Sequence, residues 1–330
     1  MRALVTGIAG QDGSYLAELL LSKGYTVFGL MRDIDSDENI KHIKDKLHIL
    51  KGDLTDETSL HAAMKESDPD EVYNLGAISH VGFSFSEPIL TADATGLSVA
   101  RILKAIKAYN PAIKFYQASS SEMFGKVQET PQVETTKFWP RSPYGIAKLY
   151  GYWMTINYRE SYGMHVSNGI LFNHESPRRG YNFVTRKITY GVAKIKKGLQ
   201  KEILLGNLDA KRDWGYAGDY VEAMWMMLQQ EEPGDYVIAT GETHTVREFV
   251  SAAFEAAGIP LTWEGQGIDE VGKHKGKILV KISEQFRRPV DVNTLCGNAT
   301  KAYEEFNWKP KTTFKDLVKI MVEHDLKELK

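Results

Sequence analysis

Ala3-Leu4-Val5-Thr6-Gly7-Ile8-Ala9-Gly10-Gln11-Asp12-Gly13-Ser14 is the stretch that decides the fold. A short apolar run stops at three glycines spaced three apart, and Ser14 to Ser22 then carries a helical apolar pattern. Strand, glycine turn, helix is the local context of a dinucleotide diphosphate site. Gly7 permits the tight turn, Gly10 lets the backbone approach a pyrophosphate, and Gly13 lets helix and strand pack closely. The unpaired N–H groups and the dipole at the helix N-terminus favour an anion there. The turn residues Gly7, Ile8, Gly10, Gln11, Asp12 and Gly13 are therefore expected to contact a cofactor. The spacing is G-x-x-G-x-x-G rather than G-x-G-x-x-G.

Working outward, further strands are read at Tyr25 to Leu30, Leu47 to Leu50, Val72 to Leu75, Phe115 to Ala118 and Val166 to Phe172. Long helices are expected over Thr91 to Ala108 and Pro143 to Tyr162. The alternation predicts an α/β fold: a Rossmann-like, doubly wound parallel sheet with right-handed crossovers. Ligands then collect at the carboxyl ends of the strands. Residues at such ends are Gly7, Asp53 and Leu54, Leu75, Gly76, Ala77 and Ser79, Ser120 and Glu122, and Asn173. Asp53 has two open readings, an adenine contact or a turn-forming Asp. Arg32 ends the second strand, where a base would hold a 2′-phosphate, but Asp33, Asp35 and Asp37 follow it. NADP is the expected cofactor, and the acidic run leaves NAD open.

After residue 173 the pattern changes to a smaller, mixed α/β C-terminal lobe expected to bind substrate. Helices are expected from 182 to about Lys197, over Val246 to Ala257 and over Phe314 to Lys327. Gly206 to Gly215 reads as a polar loop and Gly265 to Gly276 as a mobile one. Asp235 to Ala239 reads as a strand returning to the main sheet. The expected division is 1–172 with about 214–241 for the cofactor, and 173–213 with 242–330 for the substrate.

Composition narrows the setting. With 330 residues the chain can bury a sizeable core, and a net charge of −2 gives no reason to expect nucleic acid. A single cysteine, Cys296, suits a reducing compartment. Met1 leads straight into a strand and no apolar run approaches the ~20 residues of a membrane span. A cytoplasmic protein with no membrane and no metal is expected.

The chemistry is carried by Ser142-Pro143-Tyr144-Gly145-Ile146-Ala147-Lys148. Ser142 reads as N-cap and Pro143 as first helical residue, so Tyr144 and Lys148 share one helix face. The ammonium is expected to favour phenolate and draw the tyrosine towards general-base duty. With Ser120 holding the reacting oxygen, this set can take a proton from an alcohol while hydride leaves for a nicotinamide. Glu122, two residues on, can serve as a second acid–base group at the neighbouring carbon. Elimination of water needs such a group; simple alcohol oxidation does not.

These residues lie in longer stretches. They are Thr6-Gly-Ile-Ala-Gly-Gln-Asp-Gly-Ser-Tyr-Leu, Tyr116-Gln-Ala-Ser-Ser-Ser-Glu-Met-Phe-Gly, Arg141-Ser-Pro-Tyr-Gly-Ile-Ala-Lys, Leu171-Phe-Asn-His-Glu-Ser-Pro-Arg-Arg-Gly, Phe183-Val-Thr-Arg-Lys, Gly206-Asn-Leu-Asp-Ala-Lys-Arg-Asp-Trp-Gly and Asn307-Trp-Lys-Pro. In that order, across nearly the whole chain, they resemble the extended short-chain dehydrogenase/reductases, and within them the GDP-mannose 4,6-dehydratase family. The resemblance implies tightly held NADP recycled in each turnover, with Tyr144 as base and Glu122 driving loss of water across C5 and C6. It implies that Leu75 to Ser79, Asn173, His174 and Arg179 join Tyr144 and Lys148 around the cofactor. It puts Asn173, Asn182, Lys187, Arg212, Arg288 and Asp291 around a GDP-sugar. The helix pair 91–108 and 143–162 would form a homodimer through a four-helix bundle.

Three positions depart from the family pattern. Ser120 stands where Thr is usual and keeps the hydrogen bond. Arg32-Asp33-Ile34-Asp35-Ser36-Asp37 replaces an Arg-Arg-Ser type loop that holds the 2′-phosphate and builds a tetramer. Arg288-Pro289-Val290-Asp291-Val292-Asn293 replaces Arg-Pro-x-Glu-Val-Asp and leaves room for another sugar, such as a GDP-heptose. Rival readings are a nucleotide-sugar 4-epimerase or reductase and a non-catalytic NADP sensor.

Overall fold

The computed structural model describes residues 1–286, 292 and 294–329. Arg288 and Asp291 lie outside them. The main sheet is built from β1 (Arg2–Thr6), β2 (Thr26–Met31), β3 (His48–Lys51), β4 (Glu71–Asn74), β5 (Lys114–Ser120) and β6 (Val166–Leu171), with Asp235–Ile238 at one edge. Among the described residues it has seven strands, in the order Asp235–Ile238, β6, β5, β4, β1, β2, β3. Every pairing in it is parallel. The order reverses between β1 and β4, and the crevice at their carboxyl ends is where such a sheet binds ligands.

Strand alternation explains how both faces are covered. Ala3 and Val5 of β1 and Tyr116 and Ala118 of β5 pack with helix α1 (Gln11–Ser22) and the helix Ala217–Gln229. Leu4 and Phe115, one residue out of phase, pack on the other face with the helices Glu57–Ser67 and Ser98–Tyr109. A separate apolar cluster joins Val184–Lys196, Val246–Ala256 and Phe314–Glu328 through Ile188, Phe249 and Met321. Beside it lies a four-stranded mixed sheet, ordered Thr262–Glu264, Val271–His274, Lys277–Ile282, Ile203–Leu205.

Two expectations about local structure need correction. Gly265 to Gly276 is not a mobile loop: it holds the 3-10 turn Gly267–Asp269 and the strand Val271–His274. Lys275 and Gly276, at φ 47° and 77°, close a two-residue hairpin onto Lys277–Ile282. Positive φ at both positions suits the strand twist, but Lys-Gly is a weaker signal than Asn-Gly. The helix expected over Thr91 to Ala108 starts at Pro88, passes through a π turn at Ala92–Leu97 and ends at Tyr109. That turn places Thr95 Oγ1 to accept from the Ile78 N–H at 3.1 Å, fixing the exit of β4. The polar loop 206–215 also contains two short strands, Lys211–Arg212 and Trp214–Tyr216.

Candidate active site

A cleft of about 640 Å³ opens at the carboxyl ends of β1, β4, β5 and β6. The glycine turn forms one wall. Gly7 takes φ +69°, and a Cβ on Gly13 would lie 2.2 Å from the Gly7 carbonyl oxygen, so only glycine lets α1 sit this close. Gly10 is the N-cap of α1 and has no side-chain cap, which leaves the first N–H groups for a ligand. Opposite them, the Asn173 Oδ1 is buried without a hydrogen-bond partner. A cradle that any side chain would fill, an uncapped helix start and an orphaned acceptor fit a dinucleotide.

Asp12 and His174 stand 162 residues apart in sequence yet form an ion pair at the cleft floor, Asp12 Oδ2 to His174 Nε2 at 2.8 Å. Nδ1 of the same ring lies 2.7 Å from the Phe172 carbonyl. Both ring nitrogens thus face acceptors, which requires the doubly protonated imidazolium. Burial pushes the Asp12 carboxyl up, but the charge and hydrogen bond of His174, with Gln11 and Arg179, hold it down at about 2. Burial lowers His174, and the Asp12 carboxylate more than offsets it, leaving it above its ordinary value. Gln11 ties the same parts together, donating to Asp12 and to the His174 carbonyl and accepting from Ser176.

The reacting end is built from β5 and the helix Pro143–Tyr162. Ser142 caps that helix by accepting from the Gly145 N–H at 3.0 Å, and Pro143 takes its first position. Gly145 is required for close approach: a Cβ there would meet the Glu122 carbonyl oxygen at 2.7 Å. The helix therefore lies directly against the loop that carries Ser120 and Glu122. Ser120 Oγ accepts from the Glu122 N–H at 3.2 Å, and the Ser120 side chain draws the Tyr144 phenol down. Glu122, Tyr144 and Lys148 are 9%, 8% and 4% exposed, and all three line the cleft.

The electrostatics differ from the sequence expectation at Tyr144. Burial pushes its phenol up to about 12; the Ser120 hydrogen bond opposes this, and Glu122 adds to it. Lys148 does not bring the phenol down here. Its Nζ donates to the Ala118 carbonyl at 2.7 Å and stands 5.8 Å from the Tyr144 ring centroid. Burial lowers Lys148 itself to about 8, against the pull of Asp12.

Of the other expected residues, Gly7, Gly10, Gln11, Asp12, Gly13, Leu75, Gly76, Ala77, Ser79, Asn173, His174 and Arg179 line the cleft. So do Asn182, Lys187 and Arg212. Ile8, Arg32, Asp53 and Leu54 do not. Ile8 is fully buried in the core behind the turn. Asp53 accepts from the N–H and hydroxyl of Thr55, both at 2.8 Å, a turn-forming role. Lys187 Nζ lies 3.1 Å above the Phe286 ring, and burial brings it down to about 8. Arg212 donates to the Lys211 and Val292 carbonyls at 2.9 and 2.6 Å. Sequence reading missed His80, Asn207, Gln285 and Phe286, which also line the cleft. Their only signal was adjacency, His80 to Ser79 and Gln285-Phe286 to the basic segment that follows.

The family model described as GDP-mannose 4,6 dehydratase matches residues 4–321. The chain belongs to the GDP-mannose 4,6-dehydratase family. The GDP-mannose 4,6 dehydratase of Cricetulus griseus is 54% identical over 338 aligned positions, covering 98% of this chain and 91% of that protein. The GDP-mannose 4,6-dehydratase of Vibrio cholerae is 50% identical, covering 99% and 94%. The crystal structure of the Thermotoga maritima UDP-glucose 4-epimerase with UDP-glucose superposes with a TM-score of 0.86 at 24% identity, covering all of both chains. That likeness speaks for the fold. Within the dehydratase family, the four groups Ser120, Glu122, Tyr144 and Lys148 of this chain share one cleft with the glycine turn.

Proposed function

We propose that this protein is a hydro-lyase that dehydrates GDP-mannose to GDP-4-keto-6-deoxymannose, a step of deoxysugar formation. The observation that carries the reading is the buried Glu122, two residues beyond Ser120 on the wall of the cleft that also holds Tyr144 and Lys148. Epimerisation or reduction at C4 gives that carboxylate no task. When bound, NADP supplies a two-electron acceptor that takes hydride from C4 and later returns it to C6. Ser120 orients the C4 hydroxyl and Tyr144 takes its proton. With C4 a ketone, the C5 proton becomes acidic and Glu122 removes it. Glu122 then protonates the departing C6 hydroxyl, so one water leaves, and the proton held by Tyr144 returns to C5 to complete the product. Burial of these groups excludes solvent while the C5–C6 bond is unsaturated.

Lys148 acts through charge. Its Nζ stands 5.8 Å from the Tyr144 ring centroid and does not lower the phenol in this arrangement; the role proposed for it is in the substrate-loaded cleft, facing the phenolate, and the ammonium persists below pH about 8. Activity is therefore expected to fall as pH rises through about 8. A kcat/KM profile flat across that range would contradict the role of Lys148. Lys187 and Arg212, with Asn182, are assigned to the GDP end, where cations meet the diphosphate. The reading divides the chain as 1–172 with about 214–241 for cofactor, and 173–213 with 242–330 for substrate.

NADP is favoured over NAD at the end of β2. Asp33 spends one oxygen on the Asp35 N–H and the other on the Ser36 hydroxyl, both at 3.1 Å. Asp37 pairs with Lys44. Arg32 is the exposed cation at the strand end, suited to a 2′-phosphate, with Asp33 and Asp35 exposed beside it. No helix of the described residues is long and apolar enough to cross a membrane; a cytoplasmic setting is part of this proposal. A homodimer fits the exposed Ile146, Tyr150 and Trp153, which lie on one helix at 58%, 41% and 55% exposure. Sedimentation is expected to give a dimer at micromolar concentration, and a monomer there would refute it.

A further inference from the structure

A line of buried side chains joins the glycine turn to Lys148. Thr6, Asn74 and Gln117 are 1%, 2% and 1% exposed. The Gly76 N–H donates to Thr6 Oγ1 at 3.0 Å, and the Thr6 hydroxyl donates to Asn74 Oδ1 at 2.6 Å. Asn74 Nδ2 donates to Gln117 Oε1 at 2.8 Å, and Gln117 Nε2 donates to the Ala118 carbonyl at 2.9 Å. Lys148 Nζ donates to that same carbonyl at 2.7 Å.

The direction of this line is forced. A backbone carbonyl can only accept, so Gln117 turns its NH2 to Ala118 and its oxygen to Asn74. Asn74 then gives its NH2 to Gln117 and presents its oxygen to Thr6, whose hydroxyl donates to it and accepts from the Gly76 N–H. The starting point is also part of the site, since a Cβ on Gly7 would lie 2.9 Å from the Gly76 backbone. The glycine turn and the lysine thus share one oriented chain of hydrogen bonds, with no exposed member.

We propose that Asn74 and Gln117 are positioning residues for Lys148: they hold a second donor on the Ala118 carbonyl and so set how firmly that carbonyl binds the ammonium. This rests on the role given to Lys148 above. A carbonyl shared between two donors is a weaker acceptor for each. Removing the Gln117 donor leaves the carbonyl to Lys148 alone, which favours the charged form. The charged and titratable groups around the lysine are Tyr144 on its own helix, Asp12 on α1, Glu122 beyond β5, and His174 and Arg179 beyond β6. None of them changes when Gln117 is replaced by a neutral side chain.

The test is kcat/KM for GDP-mannose against pH, for wild type, Gln117→Met and Thr6→Val. The Gln117→Met variant is expected to move the alkaline limb up by about half to one pH unit, as a redistributed charge-assisted hydrogen bond would. Thr6→Val is isosteric and removes the donor to Asn74 Oδ1, which loosens the two amides behind the Ala118 carbonyl, so it moves the limb the same way by less. It carries the test alone if Gln117→Met does not fold. Limbs that coincide with wild type, with only thermal stability lowered, would reduce the line to a structural one and overturn the proposal. A wild type inactive on GDP-mannose would instead overturn the functional reading itself.

Discussion

Tyr144→Phe is expected to lower the rate of GDP-mannose dehydration by about 10²- to 10⁴-fold, the range lost when a positioned acid–base group is removed. The side chain is buried, and Phe keeps its packing and the cap of its helix, so stability should change little. What is lost is the oxygen that receives the sugar proton. Because this step precedes all others, no reduced nicotinamide should form when the variant meets substrate. The check is single-turnover absorbance of the nicotinamide alongside product formation. Dehydration at the wild-type rate would remove Tyr144 from the mechanism.

Glu122→Gln should fail at a later point, and the difference is diagnostic. Gln keeps the shape but can neither take the C5 proton nor protonate the C6 hydroxyl. Oxidation at C4 proceeds, water is not lost, and reduced nicotinamide accumulates on the protein while product formation falls by about 10²-fold or more. The backbone N–H of residue 122 still caps onto Ser120, so the triad should stay in place. Dehydration at the normal rate would make Glu122 structural and assign the C5 proton and the C6 hydroxyl to another group.

Much of this site could be read from the chain because local chemistry fixes it. The Ser142 cap, Pro143 and the four-residue spacing of Tyr144 and Lys148 are properties of one helix start. The glycine turn is likewise local. Beyond those stretches, what decides the site comes from parts distant in sequence. The Asp12–His174 pair joins the turn after β1 to the segment after β6, and no periodicity announces it. The phenol of Tyr144 is pushed up by burial, which the four-residue spacing from Lys148 cannot show. The π turn at Ala92–Leu97 inserts its extra residue into an otherwise regular helical pattern. Asp53 was evenly poised between two roles, and the Thr55 hydrogen bonds favour the turn.

The central claim is tested most directly by incubating the purified protein with GDP-mannose and no added cofactor, and following the sugar nucleotide by mass spectrometry. The account predicts a product lighter by one water, about 18 mass units, because a recycled cofactor travels with the protein and is not consumed. An unchanged mass with GDP-mannose, in protein that still carries its nicotinamide, would contradict it. Loss of water from a different GDP-sugar in the same assay would keep Tyr144 and Glu122 in their roles and move the substrate.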